Sequence, residues 1–67
     1  MTALDAPIRL DDHTEIHVAR RQGKNGPEID IRIYSKTGAL FFPTPKGLAC
    51  PLEHLEELIQ QLRSQAA

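Results

Sequence analysis

The sequence has no tryptophan, one tyrosine, two phenylalanines, one methionine and one cysteine among its 67 residues. A single thiol cannot close an internal disulfide, and no Cys/His cluster has zinc-ligand spacing, so neither staple is expected to stabilise the chain. At this length one hydrophobic core is marginal for a monomer, and association with a second copy is the expected remedy. No apolar run approaches membrane-spanning length. The N-terminal stretch MTALDAPIRLDDHTE carries acids where a secretory leader would have a basic end and an apolar segment. A cytoplasmic protein is expected, and an unpaired Cys50 suits a reducing compartment.

Signatures of catalysis are missing as well. Gly23, Gly26, Gly38 and Gly47 are spaced as turn residues, not as a phosphate cradle or a dinucleotide fingerprint. No base-bearing or glycine-flanked motif surrounds Cys50, which reads as a small buried hydrophobe. His13 and His17 have the i, i+4 spacing of a helical metal pair, but they fall in a tail and a strand; with His54 on a helix, all three read as solvated surface groups. An enzyme is not expected, and no cofactor or metal is implied.

Charge is more informative in its distribution than in its total, which is −1. Residues 1–19 hold Arg9 against Asp5, Asp11, Asp12 and Glu15, and residues 47–67 hold Arg63 against Glu53, Glu56 and Glu57. Between them, Arg20, Arg21, Lys24, Arg32, Lys36 and Lys46 face only Glu28 and Asp30, a surplus of four positive charges where a phosphate backbone could be engaged.

Periodicity sets the fold class. Residues 1–14 lack sustained periodicity and read as a flexible tail, leaving residues 15–64 as the folded domain. Ile16 and Val18 alternate with Glu15 and His17 in a first strand that ends near Arg20 and Arg21. The Gly/Asn/Pro-rich run Gln22–Pro27 reads as a hairpin loop. Residues 28–34 give the cleanest strand, with Ile29, Ile31 and Ile33 on one face and Asp30, Arg32 and Tyr34 on the other. After a turn at residues 35–38, residues 39–42 form a short apolar strand ended by Pro43, residues 44–47 a stiff connection, and residues 48–50 a last short strand. From Pro51 the period becomes helical, with Leu52, Leu55, Leu58, Ile59 and Leu62 on one stripe and Glu53, Glu56, Gln60 and Arg63 opposite. Pro51 suits a first helical turn, and the early glutamates complement the helix dipole. The expected class is α+β: a four-stranded antiparallel sheet followed by one C-terminal amphipathic helix, in a homodimer.

On charge alone, a solvated basic surface and a nucleic-acid interface account equally well for the middle segment. Arg32 and Tyr34 tilt the balance, because a guanidinium and an aromatic ring on one strand face can hold a phosphate and stack a base.

The run Ile29-Asp30-Ile31-Arg32 followed by Tyr34, then Gly38, Pro43, Lys46-Gly47 and a leucine-spaced terminal helix, resembles the single-stranded-DNA-binding domain of the positive-cofactor-four transcriptional coactivators. The resemblance covers residues 15 to 63. It implies a dimer that binds single-stranded or melted DNA through basic and aromatic residues on the sheet. Gly23-Lys24 corresponds to that family's basic first hairpin, Arg32 to its strand arginine and Lys46 to the lysine before its glycine. Arg20 and Arg21 fall where it places a basic and an aromatic residue. Ser35 stands where the family has an aromatic, and Phe42 where it has a lysine. The resulting expectation is low-specificity binding of single-stranded DNA or RNA by Arg20, Arg21, Lys24, Arg32, Tyr34, Lys36 and Lys46, in transcription or nucleic-acid maintenance, with the transcription machinery as a further partner. The alternative is a protein-interaction module of the same fold that has lost nucleic-acid binding, which the net charge and the missing aromatic favour.

Overall fold

A computed structural model describes residues 6–67 of the chain. Four strands, β1 (Ile8–Asp11), β2 (Thr14–Gly23), β3 (Gly26–Thr37) and β4 (Leu40–Pro51), form one antiparallel sheet in sequential order. A 3-10 turn, Leu52–His54, leads into helix α1 (Leu55–Ala66). The expected four-stranded antiparallel sheet followed by one C-terminal helix is what the chain adopts. No helix among the described residues is long and apolar enough to cross a membrane.

The four strands are a different set from those read in the sequence. Ile8–Asp11, assigned to a tail, is a strand paired with β2, with Ile8 opposite Ile16 and Arg9 opposite Glu15. The turn between them is stabilised locally, since Asp11 Oδ1 accepts the His13 N–H at 2.8 Å, a side-chain turn that aspartate favours. Residues 1–5 of the expected tail lie outside the described residues. The two short strands expected at residues 39–42 and 48–50 are one strand, β4, and the expected connection at residues 44–47 lies inside it. Proline tolerates this place because β4 is an edge strand, where a missing N–H need not cost a ladder bond. The expected six-residue loop Gln22–Pro27 is much tighter: Gly23 pairs with Gly26, leaving Lys24 and Asn25 at the tip. Pro51 closes β4 in an extended conformation (φ −57°, ψ 142°) and is not the first residue of the helix.

Register assigns the faces, because residues directly opposite one another in an antiparallel pair share a face. Ile16, Val18 and Arg20 stand opposite Ile33, Ile31 and Ile29, which in turn face Leu48 and Cys50 on β4. This is the apolar face. The other carries Glu15, His17, Ala19 and Arg21 from β2 and Glu28, Asp30, Arg32 and Tyr34 from β3. The chain covers its apolar face poorly. Among the described residues Cys50 is the only buried hydrophobic side chain, while Val18 is 52% exposed, Phe42 49%, Leu48 49% and Leu62 60%. On α1 only Leu55, Leu58 and Ile59 are half-buried.

A candidate nucleic-acid interface on the polar face of the sheet

Strands alternate, so i, i+2 neighbours project side by side from one face. On β3 this puts Asp30 beside Arg32, whose Nη2 donates to Asp30 Oδ1 at 2.7 Å. Across the ladder Arg21 lies opposite Glu28, and its Nε donates to Glu28 Oε2 at 2.8 Å while Nη1 sits 3.6 Å from Asp30 Oδ1. The Arg32 guanidinium beside Asp30 holds that carboxyl below the ordinary aspartate range, with Arg21 adding to the effect. Hydrogen bonding to Glu28 raises Arg21 in turn.

A second cluster sits farther along the same face. Glu15 is 8% exposed; it accepts from His17 Nε2 at 2.9 Å and from Arg9 Nη2 at 3.0 Å. The bond from His17, with Arg9 next, holds the Glu15 carboxyl below its ordinary range. The His17 ring stacks on Tyr34 with centroids 3.7 Å apart and planes 13° apart. Arg9 lies over Phe41, its Cζ 5.3 Å from the ring centroid. His17 is therefore not the solvated group expected from the sequence: it bridges a carboxylate and an aromatic ring. His13 is exposed in the β1–β2 turn. His54, on the surface, pairs with Glu57 at 3.0 Å, which raises its pKa.

On this face lies an open cleft of about 380 Å³, to which His17, Ala19, Asp30, Arg32 and Tyr34 contribute.

The third feature is a bulge in β4. Tyr34 pairs with Pro43 and Arg32 with Gly47, so Thr44, Pro45 and Lys46 stand opposite the single residue Ile33. Extra residues in one strand push it outward and re-aim its side chains. Thr44 Oγ1 donates to the Ile33 carbonyl at 2.8 Å and accepts the Lys46 N–H at 3.2 Å. Gly47 rejoins the ladder at φ +150°, where any Cβ would press into the Ile31 carbonyl oxygen.

The seven expected site residues do not form one patch. Arg32 and Tyr34 share the polar face as expected, with Arg21 near them, but Arg21 and Arg32 are matched by acids and one face of the Tyr34 ring is covered by His17. Arg20 projects from the apolar face, opposite Ile29. Lys24 is at the β2–β3 tip, Lys46 on the bulge, and Lys36 in β3, its N–H donating to the His13 carbonyl at 2.9 Å. Among the described residues Arg20, Lys24, Lys36 and Lys46 have no acidic partner within 4.0 Å. Sequence reasoning missed Arg9 and Phe41, whose contact depends on a strand it did not identify, and His17, whose stacking on Tyr34 depends on the register of β2 against β3. The i, i+2 pairing of Glu15 with His17 was open to inspection.

No protein-family model and no curated protein matches the chain. Among solved structures it is similar to a PC4 homolog from Burkholderia pseudomallei, with a TM-score of 0.82 and 22% identity over 92% of this chain and 93% of that one. With four antiparallel strands followed by one terminal helix, the chain has the positive-cofactor-four fold.

Proposed function

We propose that the protein is a homodimeric, low-specificity binder of single-stranded nucleic acid that acts in transcription or nucleic-acid maintenance. The observation that carries this reading is the placement of the unmatched cations. Arg21 and Arg32 neutralise acids on the sheet, whereas among the described residues Lys24 at the hairpin tip, Lys46 on the bulge, Lys36 near the end of β3 and Arg20 within β2, like Arg63 on the helix, have no acidic partner. The fold likeness to a PC4 homolog and the Asp-Ile-Arg-x-Tyr and Lys-Gly runs support the same reading.

Lys24 and Lys46 would hold phosphates, with Arg20 and Lys36 assisting. Tyr34 offers limited stacking, because His17 occupies one side of its ring. The dimer reading rests on the exposure of Val18, Phe42, Leu48 and Leu62, apolar surface that a second copy would cover.

Each phosphate neutralised on a single strand contributes about 0.7 to the slope of log K against log salt, so four contacts give roughly 3 per protomer. Between 50 and 200 mM salt that is a loss of affinity of about 50-fold per engaged protomer. The double variant Lys24→Ala/Lys46→Ala is expected to keep the fold and lower the slope by about 1.4 per protomer. An unchanged slope would remove these two residues from the site.

A second reading is favoured by the acid matching of Arg21 and Arg32 and by the net charge of −1: a protein-interaction module of the same fold. It predicts no salt-sensitive affinity for single strands.

A further inference from the structure

Arg32 is the residue that sequence reasoning most readily assigns to a phosphate, yet both of its terminal nitrogens are already engaged. Nη2 is on Asp30, and Nη1 points at the Pro45 carbonyl at 3.2 Å and the Thr44 carbonyl at 3.5 Å. Its side chain retains only 23% exposure. The two carbonyls belong to the bulge that carries Lys46. That bulge has three residues opposite one, and Thr44, Pro45 and Lys46 have no one-to-one partners in the register with β3, so other contacts fix its course. Three devices do so: Thr44 Oγ1 bridges the Ile33 carbonyl and the Lys46 N–H, Gly47 allows close return to β3, and the Arg32 fork ties the bulge to Asp30.

We infer that Arg32 is a positioning residue: its forked guanidinium, anchored on Asp30, clamps the Thr44–Lys46 bulge so that the Lys46 ammonium is held where it meets phosphate. The inference deepens the proposed function and rests on it for the role of Lys46, while the clamp itself is a property of the free protein. A lysine cannot replace the fork, because its compact ammonium lacks the planar geometry that reaches a carboxylate and two carbonyls together. The acids of this face agree with such a role. Asp30 orients Arg32 and would repel a phosphate brought directly to it.

The test uses the full chain with Arg32→Lys, Arg32→Ala, Lys46→Ala and Arg32→Lys/Lys46→Ala, and a poly-thymidine oligonucleotide as probe. If Arg32 acts through Lys46, Arg32→Lys lowers the salt slope as Lys46→Ala does, by about 0.7, and the double variant falls no further. If Arg32 itself touches phosphate, Arg32→Lys keeps the slope, and Arg32→Ala and Lys46→Ala each remove about 0.7 independently; that result overturns the inference. Thr44→Val, which leaves every charge in place, is expected to reproduce the Arg32→Lys slope even where an Arg32 variant folds poorly. A second readout needs no ligand. Amide relaxation in free Arg32→Lys should show Thr44 and Lys46 newly mobile while β2 and β3 keep wild-type values, and a bulge as rigid as in wild type overturns the clamp. Wild-type protein that fails to bind the oligonucleotide would count against the proposed function, with the relaxation result still deciding the clamp.

Discussion

Replacing Gly47 by alanine tests the account of the β4 bulge most sharply. Gly47 sits at φ +150°, a region that residues with a Cβ rarely occupy. A Cβ there would press into the Ile31 carbonyl oxygen and lie 3.0 Å from Arg32 Cα. Both neighbours are backbone of the central strand β3, so neither can swing aside as a side-chain tip would. The conformational cost is about 1–3 kcal/mol. Relief of the overlap by a backbone shift adds about 1–3 kcal/mol more. For a domain of this size 1 kcal/mol corresponds to roughly 4–8 °C in Tm. Even the low end, about 2 kcal/mol, predicts a fall of roughly 10 °C. The assay is thermal melting by circular dichroism at equal protomer concentration, since association shifts Tm. Gly38→Asn is the control: Gly38 has φ +66°, nothing lies within 4 Å of its added Cβ, and asparagine tolerates that region, so its melting should change little. A Gly47→Ala protein melting within about 2 °C of wild type would refute this reading of the bulge.

Other outcomes follow from the same geometry. Glu15 has a folded-state pKa below its ordinary value, so its contribution to stability is present above about pH 4.5 and is lost as pH falls through the lower folded value. Hydrogen-exchange protection factors at β1 should fall in that acid window, and Glu15→Gln should largely abolish the dependence. For His54 the sign is opposite: its raised pKa gives stability that is full below about pH 6.5 and lost as pH rises through the higher folded value, an effect that His54→Gln should remove from the pH profile of Tm. Leu48→Asp places a charge on the exposed apolar face and should shift sedimentation from dimer to monomer; an unchanged dimer would move the proposed interface away from that face.

How much of this was legible in the sequence depended on the interaction involved. The alternation from Glu28 to Tyr34 reports β3 directly, because a strand with one apolar face must repeat every second residue. The continuity of β4 was hidden by Pro43 and Pro45, whose usual reading as strand terminators fails at an edge. Strand β1 was hidden by its brevity, although Asp11 two residues before His13 carries the turn chemistry that returns the chain onto β2. The candidate site was less legible than the fold. Asp30 next but one to Arg32 was visible as a same-face pair, but the stacking of His17 on Tyr34 and the reach of Arg32 to the bulge depend on register between strands, which composition and spacing do not specify. Residues sharing a basic segment were thus split between two faces, with Arg20 on one and Arg21 on the other.

The central claim, binding of single-stranded nucleic acid, is tested most directly by fluorescence anisotropy of a labelled poly-thymidine oligonucleotide and its duplex counterpart at two salt concentrations. The account predicts binding that prefers the single strand and weakens by about 50-fold per engaged protomer between 50 and 200 mM salt. No binding to either probe at the lower salt would contradict it and favour the protein-interaction module.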